Sequence, residues 1–392
     1  MSTSDQSVHV RRDYFPSLDG LRFISILFVV LHHLDTFTSN FLNHSDSYPL
    51  IGEIGYFSIQ FFFVGSGFLI TYFMITELDK SGSISLKNYF LRRILRIWPG
   101  YYLLLGVSLL AYLTYPFLSI PGVSNVYYQS HAFPFSVLCF GFILPHLPPF
   151  FSPTPPFIHH TYTIGIEEQF YLLWGVLFFF LKRDFKYVVW CLFFTVFFMG
   201  IWHDYYHAAF GAPANGSIVS LLSSSATFLK YSRITTFAIG SFFAYAYYHK
   251  AGWLQVYSSS VAQFIFYFFL GFLLYLRHVN IYLPDEIISF VMISLFFFSK
   301  NSSSRTLSFS QPLLVFLGKI SYGIYLFHMF AIVIACNLVS CFTTTSTPLI
   351  FLLLSCLTVG ISIVFGWLSY RFVECRFLDL KRKYYVRSGG LA

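Results

Sequence analysis

The stretch SLDGLRFISILFVVLHH, residues 17–33, decides the class of this chain. After Arg22 no side chain can ionise until His32 and His33, and the apolar run continues to residue 42. About 20 apolar residues suffice to cross a bilayer as a helix. The stretch therefore reads as a membrane span with a cation at its mouth and imidazoles deep inside it.

The composition extends that reading to the whole chain. Of 392 residues, 56% are hydrophobic, 22% aromatic and 10% charged, with a mean hydropathy of +0.66. A soluble domain carries about 25% charged residues, so an ordinary water-soluble globule is excluded. Apolar runs lie near 22–42, 54–76, 97–118, 166–181, 187–202, 232–249, 255–276, 284–299, 313–340 and 348–374. The expected fold is all-α, a polytopic bundle of about ten transmembrane helices. It is flanked by a cytoplasmic N-terminal tail, 1–16, and a cytoplasmic C-terminal tail, 379–392, around a membrane domain, 17–378. With about 20 residues per span, a chain of this length leaves no room for a large soluble domain.

Charge sets the orientation. With both termini cytoplasmic, every Lys and Arg of the 24 except Lys230, Arg233 and Arg277 falls inside, in keeping with the positive-inside bias. The net charge of +8 is then topological, and no nucleic-acid binding is expected. This arrangement requires that Phe133–Leu147, short and ending in prolines, does not cross. It is expected to be a re-entrant or outer-leaflet segment, tolerated where protein surrounds it.

Six cysteines without C-x-x-C spacing argue against a disulfide framework or a metal site. No cleavage site follows the first run, so no signal peptide is expected to be removed. Asn215-Gly216-Ser217 has the form of a glycosylation sequon, a triplet common enough to arise by chance. No internal repeat is evident.

Ionisable groups inside spans are costly and tend to be functional, so the few present can be weighed singly. Arg22 and His33 are eleven positions apart, about 1100° of helical rotation, which leaves them some 20° off one face and about 16 Å apart along the axis. His32 points roughly 100° away. Against a functional reading stands a histidine that merely bonds a neighbouring helix. In Arg92-Arg93-Ile94-Leu95-Arg96, either Arg92 and Arg96 or Arg93 and Arg96 can share a face. Paired guanidiniums suit phosphate, although a topological anchor or a contact to anionic lipid would use the same residues. Glu167 and Glu168 sit at the entrance of the fourth run, where adjacency turns only one of them inward. Their structural alternatives are an ion pair with Arg233 or a helix-terminus role.

Six segments in order, SLDGLRFISILFVVLHH, FFFVGSGFLIT, RRILRIWP, TIGIEEQFYLLW, LGKISYGIYLFH and LSYRFVECRF, resemble the acyltransferase-3 family from about Ser17 to Phe377. These are membrane enzymes similar to bacterial O-acetyltransferases of O-antigen, lipopolysaccharide and other surface carbohydrate. The family's basic residue–ten–histidine motif falls on Arg22 and His33, and its paired-arginine motif on Arg93 and Arg96. Its usual Trp-Ser-Leu is replaced by Tyr162-Thr163-Ile164, and its Leu-Ser-Gly by Gly65-Ser66-Gly67. Longer members carry a fused soluble domain, which is not expected here.

The resemblance implies acetyl-coenzyme A as acyl donor, a carbohydrate or glycolipid hydroxyl as acceptor, and a place in the bacterial cytoplasmic membrane. Arg22, Arg93 and Arg96 would hold the anionic end of the donor. His33 would act as general base or as a transient acyl carrier, with Glu167, or Glu168 close behind, orienting the imidazole or the acceptor. Ser321-Tyr322-Gly323 and His328 are expected along the acceptor path, and Tyr370, Arg371 and Glu374 at the cytoplasmic end. No metal is expected. The alternative from another class is a transporter or flippase for a lipid-linked or anionic solute.

Overall fold

The computed structural model describes residues 14–41, 48–114, 133–147, 154–187, 231–279, 283–301, 308–340 and 348–386, with Ile281 and isolated positions from 189 to 202. Outside the described residues lie Arg11 and Arg12, the sequon at 215–217, most of the fifth apolar run, and 387–392. Among those described there is no strand.

The elements in chain order are α1 (Pro16–Phe41), α2 (Pro49–Ser81), α3 (Leu86–Thr114), α4 (Phe133–Gly141), α5 (Tyr162–Leu181), α6 (Ile234–Tyr248), α7 (Ser260–His278) and α8 (Asp285–Asn301). They continue as α9 (Pro312–Lys319), α10 (Ser321–Ser340), α11 (Pro348–Ser369) and α12 (Cys375–Val386). Local chemistry accounts for several ends. Asp19 lies in the first turn of α1, where a carboxylate favours the helix dipole. Pro49 begins α2, and the preceding Tyr48 N–H is taken up by Asp35 of α1 at 3.2 Å. α2 stops at Gly82, whose φ of 68° is left-handed and whose N–H donates to Leu78 O at 2.8 Å.

Among the described residues, seven helical stretches are long and apolar enough to cross a membrane: Pro16–Thr38, Pro49–Ser81, Leu86–Thr114, His159–Leu181, Ser260–His278, Ser321–Val339 and Pro348–Leu380. The runs at 232–249 and 284–299 form helices of 15 and 17 residues, about 22 and 25 Å long at 1.5 Å per residue. The run 313–340 is two helices instead of one. α9 ends at Lys319, with Gly318 lying against the backbone of Asp19, where an added Cβ would fall inside the carbonyl. Ser321 Oγ then donates to Gly318 O at 2.8 Å as α10 begins. A short apolar helix is thereby turned onto the start of α1.

α4 has nine residues, about 14 Å of helix, too short to cross. It is fastened to α3 by Tyr101 Oη to Phe140 O and Tyr102 Oη to Gly141 O, both 2.9 Å.

The centre of the bundle is the crossing of α2 and α6. A Cβ on Gly240 would fall inside the Val64 carbonyl, and one on Gly67 inside that of Phe237. Small residues permit such backbone approach between membrane helices. Buried hydroxyls secure it: Thr71 Oγ1 bonds Ser241 Oγ at 2.7 Å, and Trp174 Nε1 of α5 donates to Thr71 Oγ1 at 3.0 Å. The periphery is apolar in the other direction, with Phe264 and Phe268 of α7 75% and 76% exposed. The chain is an integral membrane protein.

Candidate active site

Arginines approach one another from two helices. α1 brings Arg22, and α3 brings Arg93 and Arg96, to a cavity of about 110 Å³ also walled by α2, α5 and α10. Arg22 Nη1 lies 3.3 Å from Asp19 Oδ1, while Asp19 Oδ2 accepts from Tyr14 Oη at 2.8 Å. Arg93 rests over the Tyr171 ring, 5.3 Å from its centroid, and its Nε is buried without a hydrogen bond. Arg96 lies in the field of both other cations and forms no ion pair with a described residue. Arg92 turns away, pairing with Glu77 Oε2 at 2.8 Å. Of the two spacings open in the sequence, i and i+3 meets the cavity.

The acidic pair separates as adjacency on a helix requires. Glu167 lines the cavity and accepts from Tyr171 Oη at 2.9 Å and from Ser66 Oγ at 3.3 Å. Arg22 and Arg96 both act on its charge. Glu168 is outside the cavity lining; its Oε2 receives Trp98 Nε1 at 3.5 Å and its Oε1 has no partner. Arg233 pairs with neither. It begins α6 with a φ of 56° and bridges to Asp285 of α8, which also accepts from Tyr56 Oη. Beside that pair, Arg277 Nε donates to Glu53 Oε2 at 2.6 Å.

His33 does not line the cavity. It belongs to a cluster of imidazoles, with its ring centroid 5.1 Å from His328 and 6.4 Å from His160; the latter two rings are 4.5 Å apart. Tyr325 borders both places. It lines the cavity, and its ring lies 5.0 Å from His160 and 5.8 Å from His328. Its hydroxyl bonds Thr163 Oγ1 at 2.5 Å. His32 faces α2 instead, packed on Gly55. α1 is unbroken from Arg22 to His33, so the rise of about 16 Å between them holds.

Of the supporting residues, Ser321 and Tyr322 line the cavity, and Tyr322 Oη donates to Ile97 O at 2.7 Å. Glu374 is buried in a π-helical turn, Tyr370–Glu374, where it accepts from Ser369 Oγ at 2.9 Å and lies in the field of Arg96. Arg371 is exposed. Sequence reading missed His160, Tyr171 and Tyr325. His160 had a legible signal, the pair His159-His160 just ahead of TYTIGIEEQFY. Among the described residues no His, Cys, Asp and Glu group has the geometry of a metal site.

Residues 15–367 match the acyltransferase-3 family model, described as an acyltransferase domain. The chain belongs to the acyltransferase-3 family. A Staphylococcus aureus (strain COL) protein provisionally named an O-acetyltransferase is 28% identical over 385 residues, covering 93% of this chain and 57% of its own length. A peptidoglycan O-acetyltransferase of Listeria monocytogenes is 34% identical over 167 residues, 42% of this chain and 24% of that one. The chain thus spans little more than half the length of the curated relatives it matches along its whole extent. No solved structure matches. The family model describes an acyltransferase domain, and the arginines, Glu167 and imidazoles of this acyltransferase-3 protein are the groups available for such chemistry.

Proposed function

We propose that this protein moves an acetyl group from cytoplasmic acetyl-coenzyme A to a hydroxyl of a cell-surface carbohydrate. It does so from the bacterial cytoplasmic membrane, with both termini inside and about ten spans in all. The observation that carries the reading is the cavity walled by Arg22, Arg93, Arg96 and Glu167 and bordered through Tyr325 by His160 and His328, the rings that pack on His33. A donor bearing phosphates fits the cationic end. Arg93 Nε is buried with no partner, and a buried donor left unpaired is costly until a ligand supplies the acceptor.

Each group then has a distinct task. The guanidiniums grip the donor's anionic end and set the depth of its thioester arm. Past Tyr325, His33 takes the proton of the attacking hydroxyl or carries the acyl group in passing. Glu167 balances the cations and, through Tyr171 and Ser66, holds the middle of the path. Peptidoglycan is the acceptor named for relatives from Listeria monocytogenes and, provisionally, Bacillus subtilis; it is the first candidate here, ahead of O-antigen. No observation favours the carrier reading over the transferase one.

The test is transfer of radiolabelled acetyl from coenzyme A to muramidase-released peptidoglycan fragments or to purified O-antigen, using membranes that contain the protein. Label transfer abolished by His33→Ala, with the protein still inserted, supports the reading. Solute uptake without transfer overturns it.

A further inference from the structure

His328 carries a constraint that its neighbours lack. Its Nδ1 lies 2.6 Å from the backbone oxygen of Tyr325. A carbonyl only accepts, so Nδ1 bears the hydrogen and, in the neutral ring, Nε2 is a bare acceptor. That Nε2 is buried without a partner, in a side chain with no exposed surface. By ring centroid, the nearest rings to that of His328 are His160 at 4.5 Å and His33 at 5.1 Å. His160 is 3% exposed and neither ring nitrogen makes a hydrogen bond of normal geometry, although the Leu326 backbone is close. Two more buried imidazoles with unused nitrogens are therefore gathered around His33 from α10 and from the turn that precedes α5. Packing alone would favour apolar rings in such a place, because unpaired buried nitrogens destabilise the fold.

We infer that His328 and His160 are positioning residues for His33, the fixed tautomer of His328 supplying a proton acceptor that orients the His33 ring toward the acceptor hydroxyl. The inference rests on the acyl-transfer reading above. In the step, the hydroxyl O–H bond breaks and its proton passes to His33 while the oxygen–acyl carbon bond forms. The carbon–sulfur bond breaks, and the coenzyme A thiolate takes one proton from the cluster. The cluster thus ends with the protons it began with, and the imidazoles share the charge between the two transfers.

Asparagine separates this role from a structural one, since its amide Nδ2 can still donate to Tyr325 O while its one side-chain acceptor, Oδ1, stops short of the Nε2 position. With purified protein in proteoliposomes, labelled acetyl-coenzyme A and muramidase-released peptidoglycan fragments, His328→Asn and His160→Asn are each expected to lower kcat about tenfold or more. The KM for acetyl-coenzyme A should stay within about twofold and the unfolding midpoint unchanged, the pattern of a lost transition-state interaction. Wild-type kcat in both variants, or a raised KM with kcat intact, overturns the inference. Should one variant not be recovered folded, the other decides. If the wild-type protein transfers no label to these fragments or to purified O-antigen, the acyl-transfer reading itself fails. If it does and His33→Ala does not, while both asparagine variants match wild type, only the cluster falls.

Discussion

Arg92, Arg93 and Arg96 lie within little more than one helical turn, yet they have different fates. Arg92 is neutralised by Glu77, whereas Arg93 and Arg96 face the cavity. The double variant Arg93→Ala and Arg96→Ala is expected to raise the KM for acetyl-coenzyme A at least tenfold with little change for the carbohydrate, measured by initial-rate kinetics. Each charge-assisted hydrogen bond lost is worth about 1.5–3 kcal/mol. Arg92→Ala should leave donor KM unchanged and lower the unfolding midpoint, because an unpaired Glu77 remains; the cost of breaking such a pair is about 3 kcal/mol. Glu167→Gln keeps an acceptor for Tyr171 but removes the one carboxylate that lines the cavity among the described residues. It should reduce turnover while the folded yield persists, and full activity would assign Glu167 to packing.

At the scale of elements, the α2–α6 crossing is the contact that most restricts substitution. Gly67 and Gly240 let the two backbones meet, and no side-chain shift relieves a clash with backbone. Gly240→Val is therefore expected to abolish recovery of folded, monodisperse protein. Gly106→Ala on α3 has nothing within 4 Å of the added carbon and should be neutral or stabilising by up to about 1 kcal/mol. The pair separates a crowded crossing from a general intolerance of the helices to substitution, read by size-exclusion chromatography and thermal unfolding. A third such approach, Gly318 against Asp19, lies at the break between α9 and α10, where periodicity alone continues a span.

Over the whole molecule, the arginine end and the histidine end lie at different depths, which suits a reaction that begins with a cytoplasmic donor and ends with an outward acceptor. The orientation is testable. Val279→Cys, after α7, should react with a membrane-impermeant maleimide in intact cells, and Ser83→Cys, after α2, only after lysis. The reverse pattern would invert the reading. Exposed phenylalanines on α7 likewise predict that the protein stays in solution only with detergent or lipid.

What local order can express was already readable along the chain. Apolar runs report a membrane, and eleven positions on a helix put Arg22 and His33 on one face because a helix repeats every 3.6 residues. The same local rules left open whether Arg92 or Arg93 joins Arg96, and whether Glu167 or Glu168 turns inward. Packing chose Arg93 and Glu167, since Glu77 reaches Arg92 from α2 and Trp98 reaches Glu168 from α3. The meeting of His33 with His160 and His328 joins residues 127 and 295 positions further along the chain. No periodicity within one helix encodes that separation; only the way α1, α10 and the turn before α5 pack brings the three rings together.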